Sequence, residues 1–479
     1  MKLLAIGYYA PPQLTPQSIQ VARLLYHLNA RVTLLHGRDP QFPDSYHQYP
    51  DFFTQVAALP VADPGARFGS LVQRAARRLL PLYETCPDRL ARWRRKALGA
   101  ALEHVAAERP DALVSFGMPM SDHVLALAIR RRTGLPWLAH FSDPWVDNIF
   151  HHHGWLARRV NARLEGCVIA GADALLFTSA RTRSLVMDKY PAPWRARAGV
   201  LPHAWDMRHV GLAAAPPGAR QSGGEAGLQP GHEPCRAFGQ QPGHQYGDQA
   251  GPQAGQESGY QSGQQAGHQA GQQPGHETER DRGRRNVRHV VRHIGACYGT
   301  RSPEPLFRAL ALIAARQPGA LDAVAFELVG PLAAAFRESH ALKSLPPGLV
   351  TVRPPVGYLD ALALARDSAA LLVIDAPSCG ESIFLPSKLI EYIGARRPVW
   401  AITPPGTSAD LVAEWAGGPH ASADPGDTEA VARMLLAGCA RLPDAAGPED
   451  VAQRFAAPRV ALALEQFVRD AVAHRRVRP

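Results

Sequence analysis

DAPSCGESIFLPSKLIEYIGARRPVWAITPPGTSAD, residues 375–410, carries one full turn of an alternating strand–helix fold. The apolar run at 370–374 just before it reads as a short buried strand, so the loop beginning at Asp375 lies at that strand's carboxyl end. Pro386 is a good first-turn residue for the helix that follows. Gly394 stops that helix, and Pro398 opens the next apolar run at 399–403. Two short strands joined through a helix belong to a parallel sheet covered on both faces.

Working outward, the same alternation recurs in both halves of the 479-residue chain. In the first half, strands are expected at 3–7, 32–36, 112–116, 137–141, 174–178 and 199–202. Helices are expected at 16–28, 120–132 and 156–170. In the second half the strands fall at 290–295, 326–330, 350–354, 370–374 and 399–403. Helices there fall at 305–315, 359–365, 387–393 and 408–415. The fold class is therefore α/β, with two Rossmann-like doubly wound parallel sheets facing a cleft. A chain this long exceeds what one core sustains, and ligands of such sheets sit beyond strand carboxyl ends beside helix N-termini. The expected division is an N-terminal domain at 1–207, an insert at 213–285 and a C-terminal domain at 286–475, whose last helix can pack back on the first domain.

The insert is rich in Gly, Gln, His and Pro. Glycine recurs every fourth residue from Gly223, lapses at Cys235 and resumes from Gly239 to Gly275. Collagen needs glycine every third residue, and with almost no aliphatic content this segment cannot offset its own ordering entropy. It reads as flexible. His232, His244, His268 and His276 leave open a metal reading, against the plainer one of a repeat that contains histidines. Deleting 213–285 is expected to leave the melting temperature nearly unchanged; a large fall would mean the segment is structured.

Composition excludes several classes. A hydrophobic share of 46% is globular, and no stretch approaches the roughly 18–20 apolar residues of a membrane span. The first apolar run, 3–7, is shorter than the roughly 7-residue minimum of a secretion signal and reads as a first strand. Six scattered cysteines have no CxxC or Cys/His spacing, which suggests neither a disulfide framework nor a zinc site but reduced thiols in a cytoplasmic protein. The formal charge of +10 favours acidic partners, yet the aromatic–basic interleaving of a nucleic-acid platform is missing, so no nucleic acid is expected. Much of the charge lies between Arg74 and Lys96 among Leu71, Leu79, Leu80, Leu82, Leu90 and Trp93. Two readings stand for this run: a peripheral patch on an anionic membrane surface, or a solvated face. Pro81 and Pro87 divide it into two short helical pieces.

On the helix after Pro386, Lys388 and Glu391 lie one turn apart on one side. Open N–H groups and a lysine suit a phosphate, and a carboxylate suits vicinal hydroxyls of a ribose. An amphipathic helix with both side chains solvated explains the residues equally well.

The stretch resembles the family-4-like, retaining glycosyltransferases of the GT-B fold, which commonly read P-S-K-L-x-E-Y-x-x-x-x-R-P; Pro386, Ser387, Lys388, Leu389, Glu391, Tyr392, Arg397 and Pro398 match. The resemblance implies that Glu391 holds the donor ribose, with Ser387, Lys388 and Leu389 around it. The family's second glutamate falls on Ile383 here, and Glu381 on the same loop is the candidate to replace it. The stretch His293–Leu310 (HIGACYGTRSPEPLFRAL) is similar to the segment that opens the family's C-terminal domain. There Gly295 would let backbone approach a diphosphate and Arg301 would neutralise it. YYAPPQLTPQS, residues 8–18, matches the first loop, with Thr15-Pro16-Gln17 where a glycine pair is usual. WLAHFSDPWVDN, residues 137–148, resembles the D-x-W strand end facing the acceptor. Asp143 and His140 are the cleft candidates it gives, against a turn-capping carboxylate and a buried histidine. Pro87, Asp88 and Trp93 match a further Pro-Asp then Trp pattern.

What the resemblance implies is sugar transfer from a nucleoside diphosphate to a hydroxyl of a glycan or lipid-linked acceptor, with retention and without a metal or other cofactor, in surface polysaccharide or lipopolysaccharide assembly. Asp143, His140 and Glu381 are the catalytic candidates. A sugar-nucleotide epimerase of the same fold and a non-catalytic scaffold are the rivals. Replacing Lys388 or Glu391 by alanine is expected to weaken donor binding and to leave the fold intact.

Overall fold

A computed structural model describes residues 1–38, 49, 51–63, 86–149, 154–208, 288–378, 380–442 and 446–477. The whole insert at 213–285, and residues 74–85 of the basic run, lie outside the described residues.

The strands, in chain order, are β1 (Lys2–Ile6), β2 (Arg31–Arg38), β3 (Val56–Ala62), β4 (Ala112–Gly117), β5 (Trp137–Phe141), β6 (Ala174–Phe177) and β7 (Ala198–Val200). They continue with β8 (His289–Ile294), β9 (Val324–Val329), β10 (Val350–Arg353), β11 (Ala370–Ile374), β12 (Val399–Ile402) and β13 (Ser422–Ala423). The longer helices are α1 (Pro16–Tyr26), α2 (Ala91–Glu108), α3 (Ser121–Thr133), α4 (Trp155–Gly171), α5 (Ala180–Met187) and α6 (Glu304–Arg316). They continue with α7 (Tyr358–Arg366), α8 (Ser387–Gly394), α9 (Thr407–Ala416), α10 (Thr428–Cys439) and α11 (Ala457–Val477). The first seven strands form one sheet, ordered β3-β2-β1-β4-β5-β6-β7, and the last six form a second, ordered β10-β9-β8-β11-β12-β13. Every strand pairing is parallel. This is the expected α/β architecture. The order reverses beside β1 in one sheet and beside β8 in the other, which sets the ligand crevices between β1 and β4 and between β8 and β11.

Each sheet has its own core. Val291, Phe307, Phe326, Leu371, Leu389, Ile393 and Trp400 are buried around the second sheet. The first is buried on both faces, by Val21, Leu25, Val32 and Val114 on one side and Trp93, Leu113, Trp137 and Phe141 on the other. Trp205, near the end of the described part of the first domain, meets the segment at 452–457 by which the chain returns from the second. Its indole donates to Ala452 O (2.8 Å), its backbone pairs with Phe455 and Ala457, and a Cβ on Gly394 would come within 2.6 Å of it. From Ala457 onward α11 belongs to the first domain, where Ala457, Val460, Leu464 and Val468 join the α1 core.

The structure adds elements that the sequence analysis does not give, among them β3, β13, α5 and α10, and it changes the reading of the basic run. β3 was not expected, because Pro60 interrupts the apolar run Val-Ala-Ala-Leu-Pro-Val-Ala; it is an edge strand, where that proline is tolerated. The described part of the basic run is not a short piece: after Pro87 it enters α2, which continues for 18 residues because Ala91, Trp93, Ala97 and Ala101 form a buried stripe at helical spacing.

Candidate active site

The crevice of the second domain follows from how β8 and β11 part. They are in register only at Val291–Ala370 and Arg292–Leu371. One residue on, the ladder gives way to a side chain, with His293 Nδ1 2.9 Å from Leu372 O. The backbone then passes Gly295 at φ +151°, a conformation that favours glycine. A Cβ there would lie 2.1 Å from Lys388 Nζ, so the missing side chain is what makes room for the ammonium. Gly330 at φ +137° closes the same corner, since its Cβ would come 2.6 Å from Gly295 O.

Lys388 makes no hydrogen bond or ion pair among the described residues. Burial, then the neighbouring Arg301 guanidinium, lowers its pKa to about 8, partly opposed by Cys297, Asp375 and Glu391. Arg301 Nε is buried and has no hydrogen-bond partner. Two cations close enough for one to lower the other's pKa, beside open backbone at a strand end, suit an anion. Ser387 is the first residue of α8. Leu389 is fully buried in the core, so only its backbone could serve a ligand.

Glu391 is already engaged. Its Oε1 accepts from Arg23 Nη2 of α1 (2.9 Å) and from Tyr358 OH of α7 (2.8 Å). Arg23 is 1% exposed, also donates to Tyr358 OH and to Ala204 O (2.5 Å), and is held firmly in its charged form by Tyr358 and Glu391. The carboxylate side chain is 18% exposed, and its Oε2 makes no bond among the described residues. Sequence reading missed Arg23 and Tyr358. The signal was there for Arg23, a lone cation between Ala22 and Leu24 on a helix otherwise bound for the core.

Across the cleft, Asp143 follows β5. Burial raises its carboxyl to about 6, against the pull of Arg301 on the facing domain. His140, within β5, is 3% exposed. Its Nε2 lies 3.2 Å from Leu201 O, its ring packs edge-on to Phe116, and burial lowers its pKa to about 4. It is a neutral interior imidazole whose Nδ1 has no partner. Where the glycine pair is usual, Thr15 caps α1 through a reciprocal bond with Ser18, and Gln17 reaches Gly117 O (3.4 Å) and Ser142 Oγ (3.0 Å). This side chain ties the first loop to the ends of β4 and β5.

Glu381 stands apart from these groups. It is 65% exposed and paired with Arg181 of α5 (2.8 Å), which also holds Asp410 (2.5 Å). The Ile383 carbonyl accepts from Ser179 (2.8 Å), Thr182 (3.1 Å) and Thr407 (3.1 Å), docking this loop on the N-terminal end of α5. This carboxylate and the Ile383 carbonyl strap the loop to α5 of the first domain. Asp88 is structural as well: it accepts from Ser121 N (2.8 Å) and Oγ (2.6 Å) at the start of α3, while Trp93 is fully buried. Among the described residues, no group of three His, Cys, Asp or Glu could hold a metal ion, and no helix is long and apolar enough to cross a membrane.

Residues 18–203 match the glycosyl transferase 4-like domain. No curated protein matches the sequence. Among solved structures, the chain is similar to Anabaena HepE in complex with UDP and glucose, at TM-score 0.52 and 13% identity over 97% of this chain and 98% of that one. It is similar to the lipopolysaccharide outer core galactosyltransferase WaaB, at TM-score 0.54 and 12% identity over 98% and 99%. It is also similar to the UDP-GlcNAc 2-epimerase of Neisseria meningitidis bound to UDP-GlcNAc, at TM-score 0.51 and 9% identity over 98% and 100%. At these identities the likeness is one of fold: the two facing parallel sheets are a GT-B architecture.

Proposed function

We propose that this GT-B chain, whose first domain carries the glycosyl transferase 4-like match, moves a sugar from a nucleoside diphosphate to an acceptor hydroxyl with retention. The observation that carries the reading is a pair of neighbouring cations at the switch point of the second sheet: Lys388, packed against Gly295 with no hydrogen bond or ion pair among the described residues, and Arg301, whose buried Nε has no partner. A diphosphate suits this pair of cations, and Glu391 Oε2 is left to accept from ribose hydroxyls. The acceptor oxygen attacks the anomeric carbon on the face the diphosphate leaves. As the carbon–oxygen bond to phosphate breaks, the acceptor proton passes to the departing phosphate oxygen. Lys388 and Arg301 then stabilise the growing negative charge, a task that needs neither a metal nor another cofactor. Asp143 and His140 border the acceptor side, Asp143 ionised at neutral pH and His140 an uncharged wall.

The acceptor class that goes with this reading is a glycan or lipid-linked hydroxyl in surface polysaccharide or lipopolysaccharide assembly, on the cytoplasmic side of a membrane. A lipid-linked acceptor would bring the basic run at 74–96 to an anionic surface; within it Arg89, Arg95 and Lys96 are exposed. The test is release of nucleoside diphosphate from nucleotide sugar, with and without acceptors. Release that requires an acceptor supports transfer. Release without one supports hydrolysis of the donor, isomerisation of the nucleotide sugar without release supports the epimerase, and neither reaction supports a scaffold.

Donor affinity should depend on pH through Lys388. Its pKa of about 8 in the free protein rises when a diphosphate binds beside it, so affinity is full below pH 8. Above pH 8 it falls, by up to about tenfold per pH unit until the bound-state pKa is passed. Titration calorimetry between pH 7 and 9.5 reads this directly, and a flat profile would remove Lys388 from the diphosphate site.

A further inference from the structure

His293 is the group in the crevice that the sequence motifs leave without a role. It is 1% exposed and stands at the point where β8 and β11 separate. Its Nδ1 faces Leu372 O at 2.9 Å. A carbonyl oxygen can only accept, so Nδ1 carries the proton. Burial and the charges of Lys388 and Arg301 keep the ring neutral, which leaves Nε2 an acceptor with a lone pair. That atom is buried and has no partner. It points into the cradle of Gly295, since a Cβ on that glycine would lie 3.8 Å from Nε2 and 2.1 Å from Lys388 Nζ.

The crevice thus holds unsatisfied groups of opposite kind. Arg301 Nε–H and the Lys388 ammonium ask for an acceptor, and His293 Nε2 asks for a donor. An ionised diphosphate satisfies only the first two, because its oxygens only accept. A bare anion would leave the histidine lone pair buried and unmet. We propose that His293 Nε2 accepts a hydrogen bond from a hydroxyl of the donor's sugar, so that the crevice distinguishes a nucleoside diphosphate sugar from the nucleoside diphosphate alone. This inference rests on the transferase reading above and adds to it the residue that recognises the sugar end of the donor.

His293→Asn separates the two ring nitrogens. Its amide can still donate to Leu372 O but is too short to reach the place of Nε2, whereas His293→Gln carries an acceptor to that place. Calorimetry would use the nucleoside diphosphate that stabilises the wild-type chain, together with its sugar conjugate. His293→Asn is expected to weaken the sugar conjugate about tenfold while leaving the nucleoside diphosphate within about twofold of wild type, and His293→Gln to recover most of the loss. Equal weakening of both ligands, or of neither, in a variant that melts like wild type would overturn the proposal. So would His293→Gln behaving as His293→Asn does. If the wild-type chain binds no nucleoside diphosphate, the transferase reading itself fails and takes this inference with it; if it binds one and the variants ignore the sugar, only the role of His293 fails.

Discussion

Lys388→Met is expected to lower donor affinity about a hundredfold and, in the same protein, to raise the melting temperature. The first effect follows from removing a charged partner of the diphosphate in a partly dehydrated crevice. The second follows from the state of the lysine without ligand. Burial and Arg301 lower its pKa from 10.5 to about 8, so the charged ammonium is less stable in the folded chain than in the unfolded one. An apolar side chain of similar length removes that cost, on the order of 1–3 kcal/mol. The sign can be checked by titration. Between pH 8 and 10.5 the unfolded chain holds more protons than the folded one, so wild-type stability should rise across that window, and the Met variant should lack the rise. Calorimetric melts of both proteins at pH 7 and pH 9.5 decide the matter. A Met variant less stable than wild type at pH 7 would mean that Lys388 is a structural cation.

Glu391→Gln is expected to be destabilising by about 3–5 kcal/mol, because it leaves the Arg23 guanidinium buried beneath a neutral partner. This departs from the sequence expectation that Glu391→Ala leaves the fold intact, because the carboxylate also joins α1 of the first domain to α8 of the second. Arg23→Met should cost less, since Glu391 keeps Tyr358 and is closer to solvent. The double variant should regain much of the loss, giving a coupling of roughly 1–3 kcal/mol in denaturant melts. Additive effects would mean that the pair does not join the domains. Donor binding in the double variant, measured against Arg23→Met alone, then isolates what Glu391 contributes to the ligand.

Much of this was legible before the structure. Continuous apolar runs such as Ala-Leu-Leu-Val-Ile at 370–374, alternating with helical periods, fixed the α/β class and placed the loops at 295–301 and 375–386 beyond strand ends. Gly295, Arg301 and Lys388 do come together, because motif spacing carries positions along a chain faithfully once strands and helices are placed. What the sequence could not carry is pairing across the cleft. Nothing near Glu381 announces that Arg181, 200 residues earlier, draws it outward, nor that Arg23 and Tyr358 converge on Glu391. His140 and His293 looked alike as histidines near strand ends. They differ in setting, one an interior ring beside Phe116, the other bordering an open cation site. Edge strand β3 escaped because proline and exposed alanines carry no periodic signal.

The most direct test of the central claim, a nucleotide-sugar site between the two domains, is a thermal-shift panel of the full chain against UDP, GDP, ADP, CMP and their common sugar conjugates. A ligand present at about 100 times its dissociation constant adds about 2.7 kcal/mol, a readable shift. The prediction is one clear nucleotide stabiliser, with its sugar conjugate stabilising further and both shifts lost in Lys388→Met. Silence across the panel, from a protein that melts cooperatively, would contradict the claim and leave a GT-B scaffold without a donor.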